Sequence, residues 1–211
     1  MDYAAWVQRL REFMIDLRER SPVDSRTKFI IEVAPPLDEQ SLKTLEAALD
    51  CGLPQPLREF LRTGASSIFF QYAPSPEDEE TSDIFCPANQ LVEWRDDCLV
   101  AAQRSWVIEP DWPLDRAFWR HALPLIHYPT SDGVALWVHD PQHPNPPVIY
   151  LKHDDASFLL ARDFDEFLRE WERLGYTGAN SLELYRDPQT GFLDSTTPKA
   201  LGYRKTLGLT E

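Results

Sequence analysis

Residues 133–171 read GVALWVHDPQHPNPPVIYLKHDDASFLLARDFDEFLREW. Three short apolar runs lie in this stretch: Val134–His139, Val148–Lys152 and Phe158–Ala161. They are rich in β-branched and aromatic residues and bounded by Pro, Gly and Asp, which predicts strands. Ser131-Asp132-Gly133 suits a tight turn before the first run, and Pro141–Pro147 makes a longer connection after it. Leu123–Tyr128 adds a fourth run upstream. Strands joined this closely are expected to be antiparallel. The period then changes. Phe164, Phe167, Leu168, Trp171 and Leu174 recur at helical spacing, predicting a helix from Asp163 to Gly175. Asp163 and Glu166 have the spacing of a capping box, with Asp in place of Ser or Thr.

Upstream, Trp6, Leu10, Phe13 and Leu17 predict an amphipathic helix over residues 4–20, ended by Ser21-Pro22. Lys28–Val33 reads as a strand. Asp38 is placed to cap a helix carrying Leu42, Leu45 and Leu49, which Gly52 stops. Leu53-Pro54 opens a second helix, with Pro54 in its first turn, Leu57, Phe60 and Leu61 on its apolar face, and Gly64 at its end. Ser67–Tyr72 and Ile84-Phe85 read as strands around an acidic, proline-containing loop. Pro87 is expected to open a helix reaching about Ser105, with Leu91, Trp94, Cys98 and Ala102 on one face. Trp119 falls on a short helical segment after the turn Pro110–Pro113. Beyond Gly175 the period is lost, but Phe192, Leu193, Leu201, Tyr203 and Leu207 argue that the tail packs on the rest. The pattern predicts an α+β fold whose closely joined strands are antiparallel.

Composition bounds the function. The chain has 211 residues and a formal net charge of −14, which opposes contact with nucleic acid or anionic membranes. A basic protein partner would be attracted. No apolar run reaches the roughly 20 residues of a spanning helix, and Met1–Trp6 lacks a basic start and an apolar signal core, so a cytoplasmic location is expected. Three unpaired cysteines, Cys51, Cys86 and Cys98, suit a reducing compartment and form no CxxC pair.

The chain resembles the SMI1/KNR4 family, also called the SUKH superfamily. Three stretches carry the resemblance: Leu45–Pro54 with its Gly-Leu-Pro ending, Leu57–Gly64 with Phe-Leu before the glycine, and Gly133–Trp171 with its strands PVIYLKHDD and its Phe-x-x-Phe-Leu helix. Thr63 stands where the family usually has Asn. The resemblance covers roughly residues 37–174. Chain length and apolar patterning read as a single domain over residues 1–211, which joins that core to the helix 4–20 and the extension 176–211, both outside the resemblance. The resemblance implies a mixed, largely antiparallel sheet packed by helices. It further implies an immunity protein that binds a cognate bacterial toxin, a nuclease or deaminase, or alternatively a regulatory scaffold without toxin linkage. It brings no catalytic residues and no cofactor.

Candidate chemistry is sparse. All five histidines, His121, His127, His139, His143 and His153, fall in one stretch beside Asp140, Asp154 and Asp155. A metal or hydrolytic site would need them to converge at about 2.0–2.2 Å from one point, and no HExxH or HxH spacing enforces that. No GxSxG, GxGxxG or GxxxxGK occurs. No catalytic or metal-binding set is therefore assigned. The candidate partner-binding residues are Glu77, Asp78, Glu79, Glu80 and Asp83, the densest acidic cluster, with Asp154 and Asp155; Asp96-Asp97 is a smaller acidic pair. Of Trp106, Trp112 and Trp119, at least two are expected to fill the core rather than an interface.

Overall fold

The strands that decide the fold are buried on both faces. A computed structural model describes residues 1–21, 29–72, 81–103, 114–126, 132–140 and 143–209. Its four-stranded antiparallel sheet has the order β4 (Ala122–Ile126), β5 (Gly133–Trp137), β6 (Val148–Leu151), β7 (Phe158–Ala161). Leu123, Leu125, Val134, Leu136, Val148 and Tyr150 enter the main core, while Ala122, Ala135, Ile149 and Leu151 enter a second cluster. That second cluster is closed by Cys98, Ala101, Phe118 and Trp119 of the helices α4 (Leu91–Ala101) and α5 (Asp115–Arg120). Burial from both sides explains why these strands read as continuous apolar runs rather than alternating ones.

A three-stranded antiparallel sheet holds β1 (Ile30–Ala34), β2 (Ser67–Tyr72) and β3 (Thr81–Phe85) in that order. Here β2 alternates, with Ile68, Phe70 and Tyr72 buried and their neighbours half-buried. The Cys86 N–H donates to Leu125 O at 2.8 Å and joins the two sheets where β3 meets β4. Cys86 has φ 49°, a left-handed turn at that junction. All strand pairs among the described residues are antiparallel, so the expected mixed sheet is two antiparallel segments in an α+β fold.

The helices follow local chemistry. Asp2 caps α1 (Tyr3–Arg20), accepting from Ala5 N–H at 3.0 Å, and Asp38 caps α2 (Glu39–Ala48), accepting from Ser41 N–H at 2.7 Å. In α3 (Gln55–Thr63), Pro54 is the cap residue and Pro56 takes the first turn. Gly64 has an ordinary φ of −93°; a Cβ there would crowd Phe60 O at 3.0 Å and Tyr3 Cβ at 3.2 Å, which suits glycine. Helix α4 begins at Leu91, later than Pro87, because Ala88–Gln90 form a turn. Asp163 caps α6 (Phe164–Arg173), accepting from Glu166 N–H at 2.7 Å. Glu166 reaches back one residue further than in a capping box, to Arg162 N–H at 2.6 Å.

The α6 face packs into one aromatic cluster. Trp171 lies 5.1 Å from Phe85 and 6.1 Å from Trp6, and Phe60 meets Phe85 edge-on at 5.5 Å. Trp6 is fully buried and its Nε1–H donates to Leu168 O at 3.2 Å. The tail adds a 3₁₀ helix (Ala179–Tyr185) and α7 (Pro198–Thr206). Leu193 N–H donates to Leu160 O at 2.8 Å, backing the edge of β7. Leu193 and Leu207 are buried and Phe192 and Tyr203 half-buried, whereas Leu201 faces solvent at 40% exposure. Trp119 is fully buried; Trp106, Trp112, His127 and the expected helix end near Ser105 lie outside the described residues.

Candidate protein-binding surface

The turn between β6 and β7, Lys152–Ser157, is held from three sides. Asp132, at the start of β5, accepts the His153 N–H at 3.1 Å. Asp115, the first residue of α5, accepts the Ser157 N–H at 2.6 Å, and the Ser157 hydroxyl accepts the Lys152 N–H at 3.0 Å. The Lys152 ammonium reaches Asp155 at 3.3 Å and Glu183 of the 3₁₀ helix at 2.8 Å. Partial burial opposes its charge, but these two carboxylates outweigh that and raise its pKa. The Ala156 N–H and Lys152 in turn hold Asp155 below the ordinary carboxylate range. Asp154 and Asp155 are exposed at the tip. A turn fixed this way presents acidic groups with little ordering left to be done on binding.

The other acidic candidates divide. Glu77, Asp78, Glu79 and Glu80 lie outside the described residues. Asp83 is not on the surface: it is 4% exposed, and its carboxylate accepts the Ala179 N–H at 3.1 Å, docking the start of the 3₁₀ helix. Strand parity gives the reason, since Asp83 and Phe85 share the inward face of β3. A buried carboxylate with a structural partner is withdrawn from any contact surface. Asp96 is exposed on α4 and Asp97 half-buried.

His139 follows β5 and His153 follows β6, as polar residues at strand ends do. The His153 ring packs edge-on against Trp119 at 4.9 Å, and His139 stacks on Trp137 at 3.8 Å, so the two serve different neighbours. Among the described residues no three His, Cys, Asp or Glu side chains group to hold a metal ion. The thiols are fixed in the protonated form by burial, which pushes Cys98 up to about 12 and Cys86 and Cys51 upward. Among the described residues no helix is long and apolar enough to cross a membrane.

Sequence reasoning missed two parts of this surface. One is the Lys152–Glu183 link, which carries the tail onto the turn and joins residues 31 apart. The other is Asp132, read only as a turn residue; an Asp beside Gly before a strand signals a side chain free to cap neighbouring N–H groups.

The model of the family described as SMI1 / KNR4 family (SUKH-1) matches residues 36–170. That span runs from the proline before α2 almost to the end of α6. No curated protein matches the chain.

Proposed function

Since the chain belongs to the SMI1 / KNR4 family (SUKH-1), we propose that it is an immunity protein that binds a cognate bacterial toxin domain, a basic nuclease or deaminase, and neutralises it by covering its active or substrate-binding surface. The pinned acidic turn at Asp154 and Asp155 is the observation that carries this reading beyond the family. Excess charge alone would not suffice. Fourteen net negative charges spread evenly leave only about one or two on a contact patch of roughly 800 Å². Physiological salt screens their field beyond about 8 Å. Steering therefore depends on local clusters, and a rigid one costs less to engage than a mobile one. Blocking is steric: tight binding comes from a few desolvated anchors and the acidic rim sets orientation and association rate.

Expression of the adjacent gene alone and together with this chain tests the proposal. The expected result is restored growth and a 1:1 complex of the two purified proteins. Binding to several unrelated cellular proteins without protection would instead favour a regulatory scaffold, and failure to bind the toxin domain would remove the immunity reading.

A further inference from the structure

In an acidic molecule, one end of the four-stranded sheet gathers hydrogen-bond donors and cations. Trp137, the last residue of β5, is half-buried; Phe118 meets its ring edge-on at 5.0 Å and His139 stacks on it at 3.8 Å and 20°. The His139 ring is exposed, and its Nδ1 lies 3.4 Å from Trp137 O. The Trp137 Nε1–H is buried and meets no acceptor among the described residues. Indole N–H groups usually find a partner when buried. The Val138 N–H donates to His121 O at 2.8 Å, which sets the α5–β4 turn beside this pair.

That turn carries Arg120, exposed and without an ion pair among the described residues, and His121, half-buried. Burial first, then Arg120, Arg95 and His139, hold the His121 imidazole below its ordinary range, with Asp50 opposing them weakly. The Arg95 charge is answered by Asp50, and Asp140 is the carboxylate next to His139 in the chain. Cations that discourage one another's charge form a site stabilised by an incoming anion. The stacked rings supply an aromatic platform of the kind enriched at interface hot spots.

We propose that His139, His121 and Arg120, beside the Trp137 ring, form a recognition surface for an acidic segment of a protein partner, whose aspartate or glutamate carboxylates meet the imidazole and guanidinium donors. This surface is distinct from the β6–β7 turn, and the proposal does not rest on the immunity reading. A short carboxylate segment is favoured over nucleic acid because a long polyanion would meet the field of the whole −14 chain.

The test is an NMR titration of the full chain, labelled with ¹⁵N, by acetylated and amidated tetraglutamate, by tetraglutamine and by tetrathymidylate, each at pH 6. Tetraglutamate is expected to shift the Trp137 indole and His139 resonances. His139→Ala and Arg120→Ala, both at exposed positions, are expected to weaken that response while the amide spectrum stays folded. An absent Trp137 shift at pH 6, an equal response to tetraglutamine, or tighter binding of tetrathymidylate at these residues would overturn the proposal.

Discussion

Arg95 and Asp50 form a two-pronged ion pair, Nε to Oδ1 at 2.9 Å and Nη2 to Oδ2 at 3.1 Å, although Arg95 is only 5% exposed. The remaining nitrogen, Nη1, donates to the carbonyls of Arg120 at 2.7 Å and Ala122 at 2.9 Å. One guanidinium thus ties the loop after α2 to α4 and to the turn between α5 and β4. The two ends differ in exposure: the Asp50 side chain is 56% open to water. Arg95→Ala should therefore cost more than Asp50→Ala, about 2–4 against about 1 kcal/mol, because only the first leaves carbonyls unanswered inside. Urea unfolding at pH 7 measures both. Arg95 holds Asp50 below its ordinary pKa, so the pair's contribution is present above the unfolded-state carboxylate value and is lost as pH falls through the lower folded value. Equal losses for the two variants would mean that the carbonyl contacts contribute nothing.

The N-terminal helix lies outside residues 36–170, yet Trp6 sits within 6.1 Å of the rings of Phe60, Phe85, Trp171 and Tyr176. Trp6→Ala is expected to cost about 3–5 kcal/mol, since it opens a cavity and leaves Leu168 O without its donor. Arg9 is paired with Glu172 on the surface of the same contact, and Arg9→Ala should cost under about 1 kcal/mol. Thermal unfolding of both variants tests whether α1 is part of the cooperative core. A Trp6→Ala protein as stable as the parent would show that it is not.

Elements legible in the sequence are those whose cause is local. Asp38 and Asp163 cap where they stand, the α6 face repeats at helical spacing, and strands β4 to β7 are bounded by their own turns. What escaped is non-local. Nothing near Arg95 announces that it is buried, because its partners lie 45, 25 and 27 residues away. The division into two sheets rests on the junction at Cys86, whose φ of 49° no residue-type preference suggests. Asp83 was readable but misread: composition placed it with an acidic loop, while strand parity with Phe85 places it inside. In the tail, Leu201 looks like a packing residue by type, yet it falls on the open side of α7, which buries Ala200 instead.

Two glycines separate backbone strain from crowding. Gly52 has φ +68° with nothing within 4 Å of an added Cβ, and Gly175 has φ +63° with Leu207 Cδ1 2.6 Å from it. Gly52→Ala should cost about 1–2 kcal/mol from the left-handed backbone alone. Gly175→Ala carries that cost and also displaces Leu207, so its midpoint in a urea titration should fall well below that of Gly52→Ala. Similar midpoints would show that α7 yields freely.

Asp115 tests whether the candidate turn is held from below. It is 2% exposed, one oxygen serves the Ser157 N–H, and the other has no partner among the described residues. Burial raises its pKa by more than the Ser157 contacts lower it. A raised folded-state pKa favours folding where the group is protonated, so this contribution is full below the unfolded value of about 3.9 and is lost as pH rises through the folded value. Asp115→Asn keeps an acceptor and removes the charge, and should unfold at least as late as the parent at pH 7. Asp115→Ala strands the Ser157 N–H and should lose about 1–3 kcal/mol. Hydrogen exchange at Ser157, faster in Asp115→Ala than in Asp115→Asn, is the local readout.

Asp154 is the exposed member of that turn, so its charge can be reversed without touching the core. Asp154→Lys should leave the melting temperature within about 1 °C, as surface substitutions do. Against the toxin domain of the proposed function it should lower the association rate about tenfold at low salt, with the gap closing as ionic strength rises, because steering acts before contact and is screened. Surface plasmon resonance at 20 and 300 mM salt separates this from a lost anchor, which would raise the dissociation rate at both. A variant with unchanged association at low salt would place the toxin elsewhere on the molecule, whatever the family membership says about binding in general.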